Sequence, residues 1–397
     1  MSWTLKLKTD GAAPLYRRIE QSIRAGISEG KLKPGDRVPS VVDIAEDLGV
    51  NKLTVLKAFQ RLEKAGLLRS EVGRGTFVAS DNASPAGGAD PRPEVVRSIR
   101  RLREGYSRGL RELLSVERRP GTINLSGGVP SPDTIPDGLL ERLSQEVVRK
   151  DPRRLYEYGG PAGLPELREA IAALLERRGT VVSPDEIIVT NGSQQAISLA
   201  AAWAREDGRT IYCETPTYTG IPGSFMLFGH GVHSIPWERG APDLDLLRSA
   251  SAGRRPLFYV CPDFNNPTGQ AMDAASRQAL ADWARAGDAV VVDDSIFREM
   301  RFEGDEPPAL YPMLPAGRRF LVGSISKSFM TGLRAGFLVA DRALVAELLP
   351  YKRYMDLGSP TIVQAIAAAF LRGGYAKHLD KMRAYYRTRR DAAIKAL

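Results

Sequence analysis

Lys327 stands among hydroxyl side chains and ahead of an arginine. It ends the run SISK at 324–327, just after an apolar stretch at 320–322, and Arg334 follows seven residues later. A lysine amine that has lost its proton can form a Schiff base with an aldehyde, and serine and arginine side chains are suitable phosphate ligands. The spacing therefore suggests a site for pyridoxal 5′-phosphate. A lone lysine of this kind is usually a surface charge, so the prediction depends on the segments that accompany it.

Four further segments carry groups that suit the same cofactor. Asp293 and Asp294 end an apolar run, where the carboxyl ends of strands meet a ligand, and an aspartate there can pair with a protonated pyridine nitrogen. Asn266 offers an amide in the turn FNNPTG, and Tyr218 offers an aromatic plane for the ring. The turn TNGSQQ at 190–195 joins a strand to a helix, and the N–H groups of such a turn suit a phosphate. Each segment alone is a weak signal, and their order along the chain makes the set a strong one.

Short apolar runs alternate with helical patterns in this part of the chain. Helical spacing covers 194–205 and 274–286, between runs suited to buried strands. This alternation predicts a doubly wound α/β domain with a parallel sheet. The apolar runs lie at 187–189, 210–212, 257–260, 289–292 and 320–322.

The first 79 residues have a different organisation. Apolar residues recur every four positions from Leu15 to Ile27, which predicts an amphipathic helix that ends near Gly30. Patterns for a short helix at 41–48, a third helix at 51–66 and a two-stranded β tail at 70–79 follow, and together they predict a winged helix-turn-helix. Polar and basic groups at its helix N-termini and wing can meet DNA. The residues that we expect to do so are Ser40, Asn51, Lys52, Thr54, Lys57, Arg74 and Gly75.

The positive charge of the chain is concentrated near its start. The 397 residues include 56 Lys and Arg against 47 Asp and Glu, a net charge of +9. Residues 1–79 and 92–120 each carry an excess of five positive charges, whereas 121–397 carry an excess of one. Such asymmetry indicates a polyanion partner at the N-terminal end, although a solvated basic surface gives the same count. The stretch at 80–93, rich in Pro, Gly and Ala, is typical of a linker.

The composition excludes several classes of protein. Two cysteines are too few for a disulfide scaffold, and no apolar run approaches the roughly 20 residues of a membrane helix. Residues 1–10 have no apolar region of the kind that secretory signals carry, so we expect a cytoplasmic protein. Cys213, Cys261 and the three histidines have no zinc-binding spacing, so we expect no metal site.

The segment from Pro14 to Val78 resembles the DNA-binding domain of GntR-type bacterial regulators. The resemblance rests on the runs PLYRRIEQSIRAGISEGKLKPGDRVPS, AEDLGVNKLTV and LEKAGLLRSEVGRGTFV. It implies that the partner is double-stranded operator DNA. Val42 stands where an arginine normally follows the Pro-Ser turn, and Asn51-Lys52 replaces the usual Ser-Arg pair. We therefore expect an unusual operator sequence.

From about Ile123 onward the chain resembles the fold type I aminotransferases. The resemblance implies that Lys327 carries the internal aldimine with pyridoxal 5′-phosphate, that Asn266 bonds the ring hydroxyl and that Tyr218 stacks on the ring. The same resemblance implies a phosphate site made by Ser193, Gln194, Ser324, Ser326 and Arg334.

Alignment with this family favours Asp294 over Asp293 for the pyridine nitrogen, because Asp294 lies three residues before an aromatic residue. That aromatic residue is Phe297, where the family usually has tyrosine, so a hydrogen bond to the ring oxygen is expected to be lost. Tyr158, in YEYGGPAG, matches a tyrosine that reaches the phosphate of the neighbouring subunit, which implies a homodimer. Only 70 residues follow Lys327, so we expect most of the C-terminal small domain, with its carboxylate-binding arginine, to be missing.

A GntR-like winged helix joined to an aminotransferase-like domain is the architecture of the MocR family of regulators, which this sequence resembles. We assign 1–79 to the DNA-binding domain, 80–93 to a linker and 94–397 to the cofactor-binding domain. The resemblance implies a transcriptional regulator whose large domain senses the cofactor, or an amine or amino-acid effector, through Lys327. The alternative is a pyridoxal-phosphate-dependent aminotransferase with an appended DNA-binding head, and a third possibility is a DNA binder whose cofactor domain is inactive.

Overall fold

The structure is a computed structural model that describes residues 14–33, 35–64, 67–71, 75–78, 127–238 and 240–397. The chain divides into two compact units, Met1–Arg92 and Pro93–Leu397. The expected linker at 80–93, the basic segment at 92–120 and Arg74 lie outside the described residues.

Three helices of the first unit pack around a small apolar core. Ile19 and Ile23 of the first helix are wholly buried, as are Val55 and Leu62 of the third. The four-residue spacing seen in the sequence therefore forms the inner face of the first helix, as predicted. The helices are α1 (Leu15–Ser28), α2 (Val41–Asp47) and α3 (Lys52–Lys64).

The wing of this unit contains one more strand than the sequence predicts. Strands β2 (Leu68–Glu71) and β3 (Gly75–Val78) pair antiparallel, and a two-residue strand β1 (Arg37–Val38) pairs with the other edge of β3. The predicted two-stranded wing is thus a three-stranded sheet. Two residues are too few to show an alternating pattern, so β1 leaves no signal in the sequence.

The second unit is built on an eight-stranded sheet with the order β4-β11-β10-β9-β8-β5-β6-β7. The five predicted apolar runs all fall on its strands, and β5, β6, β8, β9 and β10 run parallel to one another. The strands are β4 (Ile187–Thr190), β5 (Thr210–Thr215), β6 (Val232–Glu238), β7 (Ala241–Pro242), β8 (Pro256–Val260), β9 (Val290–Asp294), β10 (Arg319–Ser324) and β11 (Gly336–Val339).

The sheet is mixed rather than parallel throughout. Strand β11 runs antiparallel to both β10 and β4, and β7 runs antiparallel to β6. Only residues 325–335 connect β10 to β11, which is too short for the helical crossover that a parallel pair requires. The prediction of a parallel sheet is therefore wrong for this edge.

Helices cover both faces of the sheet, as the doubly wound pattern predicts. On strand β4, Ile187 and Val189 pack on the side of helices α5 and α11, and Ile188 packs on the side of α6. The helices are α4 (Leu139–Lys150), α5 (Pro165–Glu176), α6 (Ser193–Glu206), α7 (Gly220–Leu227), α8 (Leu244–Ser251), α9 (Ala274–Ala286), α10 (Arg342–Asp356), α11 (Thr361–Gly373) and α12 (Tyr375–Ala396). Among the described residues, no helix is both long and apolar enough to cross a membrane.

Candidate functional site

A cavity of about 380 Å³ opens at the carboxyl edge of the large sheet. This position and size are typical of small-molecule sites in α/β proteins. Most of the residues predicted for the cofactor line it, although they are up to 141 positions apart in the sequence. The predicted residues in its wall are Ser193, Gln194, Tyr218, Asn266, Asp294, Ser326, Lys327 and Arg334.

The amine of Lys327 lies in this cavity, half-buried, and its Nζ donates a hydrogen bond to the carbonyl oxygen of Gly128 at 2.8 Å. Burial lowers the pKa of Lys327, and the nearby positive charge of Arg334 lowers it further. A lowered pKa favours the neutral amine, which is the form that attacks an aldehyde. Gly128 was missed in the sequence, where only the pair Gly127-Gly128 before a proline-rich turn hints at a close approach of backbone.

One end of the cavity suits an anion. Helix α6 begins there after Gly192, whose φ is +80°, and a Cβ on Gly192 would lie 2.5 Å from Nη2 of Arg334. The same Nη2 donates to the carbonyl of Asn191 at 3.3 Å. Within the described part of the chain, the buried Oγ of Ser326 has no hydrogen-bond partner. A helix N-terminus, a guanidinium and an unsatisfied hydroxyl together match the needs of a phosphate group.

Ser324 differs from its predicted role. Its buried Oγ donates to the carbonyl of Ala335 at 3.1 Å and accepts the N–H of Ser326 at 3.0 Å. The hydroxyl therefore supports the loop that carries Ser326 and Lys327, and Ser324 is not in the wall of the cavity.

The wall of the cavity also contains a buried carboxyl group. Asp294 lines the cavity, and its Oδ2 accepts the Tyr259 hydroxyl at 2.6 Å. Asp293 is also buried, but it lies outside the cavity wall and accepts from Ser295 Oγ at 2.7 Å. Burial raises the pKa of each carboxyl to about 6. The placement of Asp294 therefore fits the predicted role better than that of Asp293. Tyr259 was missed because it lies within an apolar strand.

Aromatic and amide groups form the remaining walls. Tyr218 and Asn266 both line the cavity, as does Phe297, which offers no hydroxyl. The ring of Tyr218 lies against Gly220, where a Cβ would be 2.4 Å from ring atom Cε1. Gln194 also lines the cavity, and its Nε2 donates to the hydroxyl of Ser224. The cavity therefore presents one stacking surface and several hydrogen-bonding groups.

Tyr158 does not belong to the cavity of its own chain. Its side chain is 85% exposed and it is absent from the cavity wall. Its predicted contact with a cofactor phosphate needs a second subunit and stays a prediction.

A buried ion pair supports the loop and the first helical turn that carry the anion-binding groups of the cavity. Asp356, at the end of α10, accepts from Lys352 Nζ at 2.6 and 2.7 Å, and the Lys352 side chain is wholly buried. The same carboxylate accepts from Asn191 Nδ2 at 2.7 Å and from Gln195 Nε2 at 2.9 Å. Asp356 thereby fixes the loop and the first turn of α6. This network was missed, because Asn191 and Gln195 lie more than 150 positions from Asp356 in the sequence.

The two cysteines are inert core residues. Both are buried and unpaired with each other, and burial raises the pKa of the Cys213 thiol to about 12, which disfavours the reactive thiolate. Within the described ranges, no group of three or more His, Cys, Asp or Glu side chains could hold a metal ion.

The residues predicted to contact DNA divide into exposed groups and groups engaged in the fold. Ser40 forms a capping box at α2, since its Oγ accepts the Asp43 N–H at 3.1 Å and the Asp43 carboxylate accepts the Ser40 N–H at 3.0 Å. Asn51 Oδ1 accepts the Leu53 N–H at 2.8 Å, so it caps α3. Lys52 is exposed and Thr54 is half-buried.

Two further predicted DNA contacts have a structural role as well. The ammonium of Lys57 lies 4.3 Å from the centre of the Tyr16 ring, a cation–π contact with α1. Gly75 has a φ of +113°, and a Cβ there would lie 2.8 Å from Arg37 Nε. Gly75 is therefore required by the wing itself.

Comparison with known proteins divides the chain in the same way. Residues 15–78 match the gntR family of bacterial regulatory proteins, and residues 120–397 match the class I and II aminotransferases. The transcriptional regulator YisV of Bacillus subtilis is 30% identical over 99% of this chain and 81% of its own length. The probable rhizopine catabolism regulatory protein MocR of Rhizobium meliloti is 30% identical over 98% of this chain and 78% of its own length.

Among solved structures, the α-aminoadipate aminotransferase LysN of Thermus thermophilus superposes with a TM-score of 0.66 at 29% identity. The match covers 72% of each chain, and that crystal structure holds N-(5′-phosphopyridoxyl)-L-leucine. The predicted fold, a DNA-binding head followed by an aminotransferase-like α/β domain, is thereby confirmed.

Proposed function

Because this chain belongs to the MocR-type regulators, we propose that it binds pyridoxal 5′-phosphate at Lys327 and uses this site to regulate the binding of operator DNA. In these regulators a gntR-family head is joined to an aminotransferase class I and II domain. The observation that carries the proposal is that the Lys327 amine, the anion-binding groups Arg334 and Ser326, and the buried carboxyl of Asp294 all line one cavity. A regulator of operator DNA would act in the cytoplasm, so we infer that location for this protein.

The residues that line the cavity fit the phosphate and the ring of this cofactor. The N-terminus of α6, Arg334 and Ser326 would hold the phosphate, and the Oγ of Ser326 would gain the hydrogen bond that it lacks. Asp294, whose Oδ2 accepts the hydroxyl of Tyr259, would accept a hydrogen bond from the protonated pyridine nitrogen of the ring. Asn266 and Tyr218 would fix the plane of the ring. When bound, the cofactor supplies an aldehyde carbon that amines and amino acids can attack.

An amine or amino-acid effector would act by competing with Lys327 for the cofactor. Release of the Lys327 amine changes the charge and the contacts within the cavity, and a ligand shifts a conformational equilibrium only through such differences. Regulation then requires that the two states of the large domain differ in how they present the DNA-binding heads. A homodimer, with Tyr158 of each subunit reaching the phosphate of the other, would give two heads for two half-sites.

The alternative function is transamination with an appended head. The set Lys327, Asn266 and Arg334 favours it, and the 2-aminoadipate transaminase of Thermus thermophilus is 31% identical over 72% of this chain. Phe297 argues against full activity, since it cannot donate a hydrogen bond to the ring oxygen. Turnover of amino-group donors by the loaded protein decides between the two functions.

The test is to locate the cofactor on the protein. Wild-type protein is titrated with pyridoxal 5′-phosphate, reduced with borohydride and mapped by peptide mass, beside Lys327→Ala and the exposed-lysine control Lys150→Ala. We expect the cofactor mass on the peptide of Lys327 in wild type and Lys150→Ala, and no specific absorbance in Lys327→Ala. Labelling of another lysine, or equal labelling of many lysines, would contradict the proposal.

A further inference from the structure

Two leucines occupy the outward face of helix α3, where they take no part in the core. Leu53 is 71% exposed and Leu56 is 40% exposed. The inward face of the same helix consists of Val55, Ala58 and Phe59, continued by Leu62, all of them buried. Leu53 and Leu56 are three positions apart, so their side chains are neighbours on one face.

The surroundings of the two leucines favour a polyanion over an apolar protein partner. Helix α3 carries Lys52, Lys57, Arg61 and Lys64 against the single acidic residue Glu63. Lys52 is exposed next to Leu53, whereas the ammonium of Lys57 contacts the ring of Tyr16 and Arg61 forms an ion pair with Glu20 of α1. Lys52 therefore presents a positive charge beside the leucine pair, and residues 1–79, which include this helix, carry an excess of five positive charges. Such a charge is complementary to DNA.

The 5-methyl group of thymine is the largest apolar group that the major groove of DNA presents to a side chain. The polar groups at the base edges there are hydrogen-bond donors and acceptors, with which leucine has no favourable contact. Gln60, four positions after Leu56 and also exposed, continues the stripe with an amide that suits the adenine edge. A helix that carries this stripe is complementary to A·T pairs.

We propose that Leu53 and Leu56 contact the 5-methyl groups of thymines in the major groove and thereby determine part of the operator sequence. This inference rests on the proposed function, because it requires that the head binds DNA specifically. Val42 and Asn51-Lys52 stand where related regulators usually carry arginines. The inference assigns part of the recognition of the DNA sequence to the two leucines instead.

The experiment removes the methyl group from the DNA and the leucine from the protein. A duplex is first selected by the full-length protein from a randomised library at fixed salt. Each thymine of the selected duplex is then replaced in turn by deoxyuridine, which lacks only the 5-methyl group. Affinities are measured for wild type, Leu53→Ala, Leu56→Ala and the control Lys52→Ala. Alanine is the best helix former and both leucines are exposed, so the variants keep the fold.

We expect wild type to lose about fourfold in affinity at one or two thymines in each half-site, as the burial of one methyl group predicts. Leu53→Ala or Leu56→Ala should bind more weakly and be insensitive to deoxyuridine at the corresponding position. Lys52→Ala should bind more weakly but keep the sensitivity of wild type, because a phosphate contact does not detect the methyl group.

Two results would overturn the inference while the proposed function stands. One is a selected sequence to which wild type binds equally well with deoxyuridine at every thymine. The other is full deoxyuridine sensitivity in both leucine variants, which would assign the methyl contact to a different residue. Failure to enrich any sequence from the library would instead refute specific DNA binding, and this inference with it.

Discussion

Replacing Asp356 by alanine removes the acceptor of four hydrogen bonds behind the candidate cofactor site. Two of these bonds come from Lys352 and one each from Asn191 and Gln195. Burial lowers the pKa of Lys352, and its bond to Asp356 opposes that effect. In Asp356→Ala the buried ammonium has lost its charged partner, and Asn191 is no longer fixed beside Arg334.

The geometry gives the size of the effect. Removing one partner of a buried ion pair typically destabilises a protein by about 3 to 5 kcal/mol, and Lys352 is wholly buried. For a domain of this size that corresponds to a fall in melting temperature on the order of 10 °C. The double variant with Lys352→Met and Asp356→Leu replaces both charges by apolar groups, which is often neutral or stabilising. It should recover most of the stability but not the anchoring of Asn191 and Gln195.

The assay follows tryptophan fluorescence during urea unfolding, since three of the four tryptophans lie in the large unit. Asp245→Ala is the control. The side chain of Asp245 is 93% exposed and that of its ion-pair partner Arg248 is 52% exposed, so the free energy of unfolding should fall by less than about 1 kcal/mol. Affinity for pyridoxal 5′-phosphate is measured on the same proteins. A fall of less than about 1 kcal/mol in the free energy of unfolding of Asp356→Ala would refute the stabilising role of the ion pair. Wild-type cofactor affinity in the double variant would refute the anchoring role of Asp356.

Three further predictions concern single groups. Burial raises the pKa of Asp294 from 3.8 to about 6, so the cofactor-free protein carries a buried charge above pH 6. At pH 8 the free energy of unfolding of Asp294→Asn should therefore exceed that of wild type by up to about 3 kcal/mol. This difference should vanish as the pH falls to 4. A gain that grows on acidification in urea titrations would contradict this. Ser326→Ala should not destabilise the cofactor-free protein, because its buried hydroxyl has no partner to lose. The variant should nevertheless weaken the binding of pyridoxal 5′-phosphate about tenfold or more in absorbance titrations. Lys52→Ala should lower DNA affinity uniformly and reduce the slope of log affinity against log salt by about one phosphate contact; an unchanged slope would place Lys52 away from the backbone.

Local patterns predicted the parts of the structure that depend on neighbouring residues. The spacing from Leu15 to Ile27 gave the buried face of α1, and the run at 257–260 is the wholly buried strand β8. Local patterns did not predict the short strand β1 or the antiparallel direction of β11. Strand β1 exists because β3 offers it an edge, and β11 reverses because its connection is short.

The candidate site shows the same limit at the level of single atoms. Asp293 and Asp294 are adjacent on a strand, so their side chains point to opposite faces. The residue types of this strand leave both faces equivalent, and only the alignment with the aminotransferases favoured Asp294. The hydroxyl of Ser324 donates to the backbone carbonyl of Ala335. The conformation of the loop determines this partner, so the residue type alone could not predict it. The bond from Lys327 to Gly128 spans 199 positions, and no local pattern reports it.

The most direct test of the account is one DNA titration in which wild type and Lys327→Ala are each compared with and without pyridoxal 5′-phosphate. The selected duplex and a scrambled duplex are used at the same salt concentration, because affinity for DNA depends strongly on salt. We predict that the cofactor changes the affinity of wild type for the selected duplex alone and has no effect on Lys327→Ala. Equal affinity of wild type in the two forms, or the same cofactor effect in Lys327→Ala, would contradict the claim that Lys327 couples the cofactor site to DNA binding.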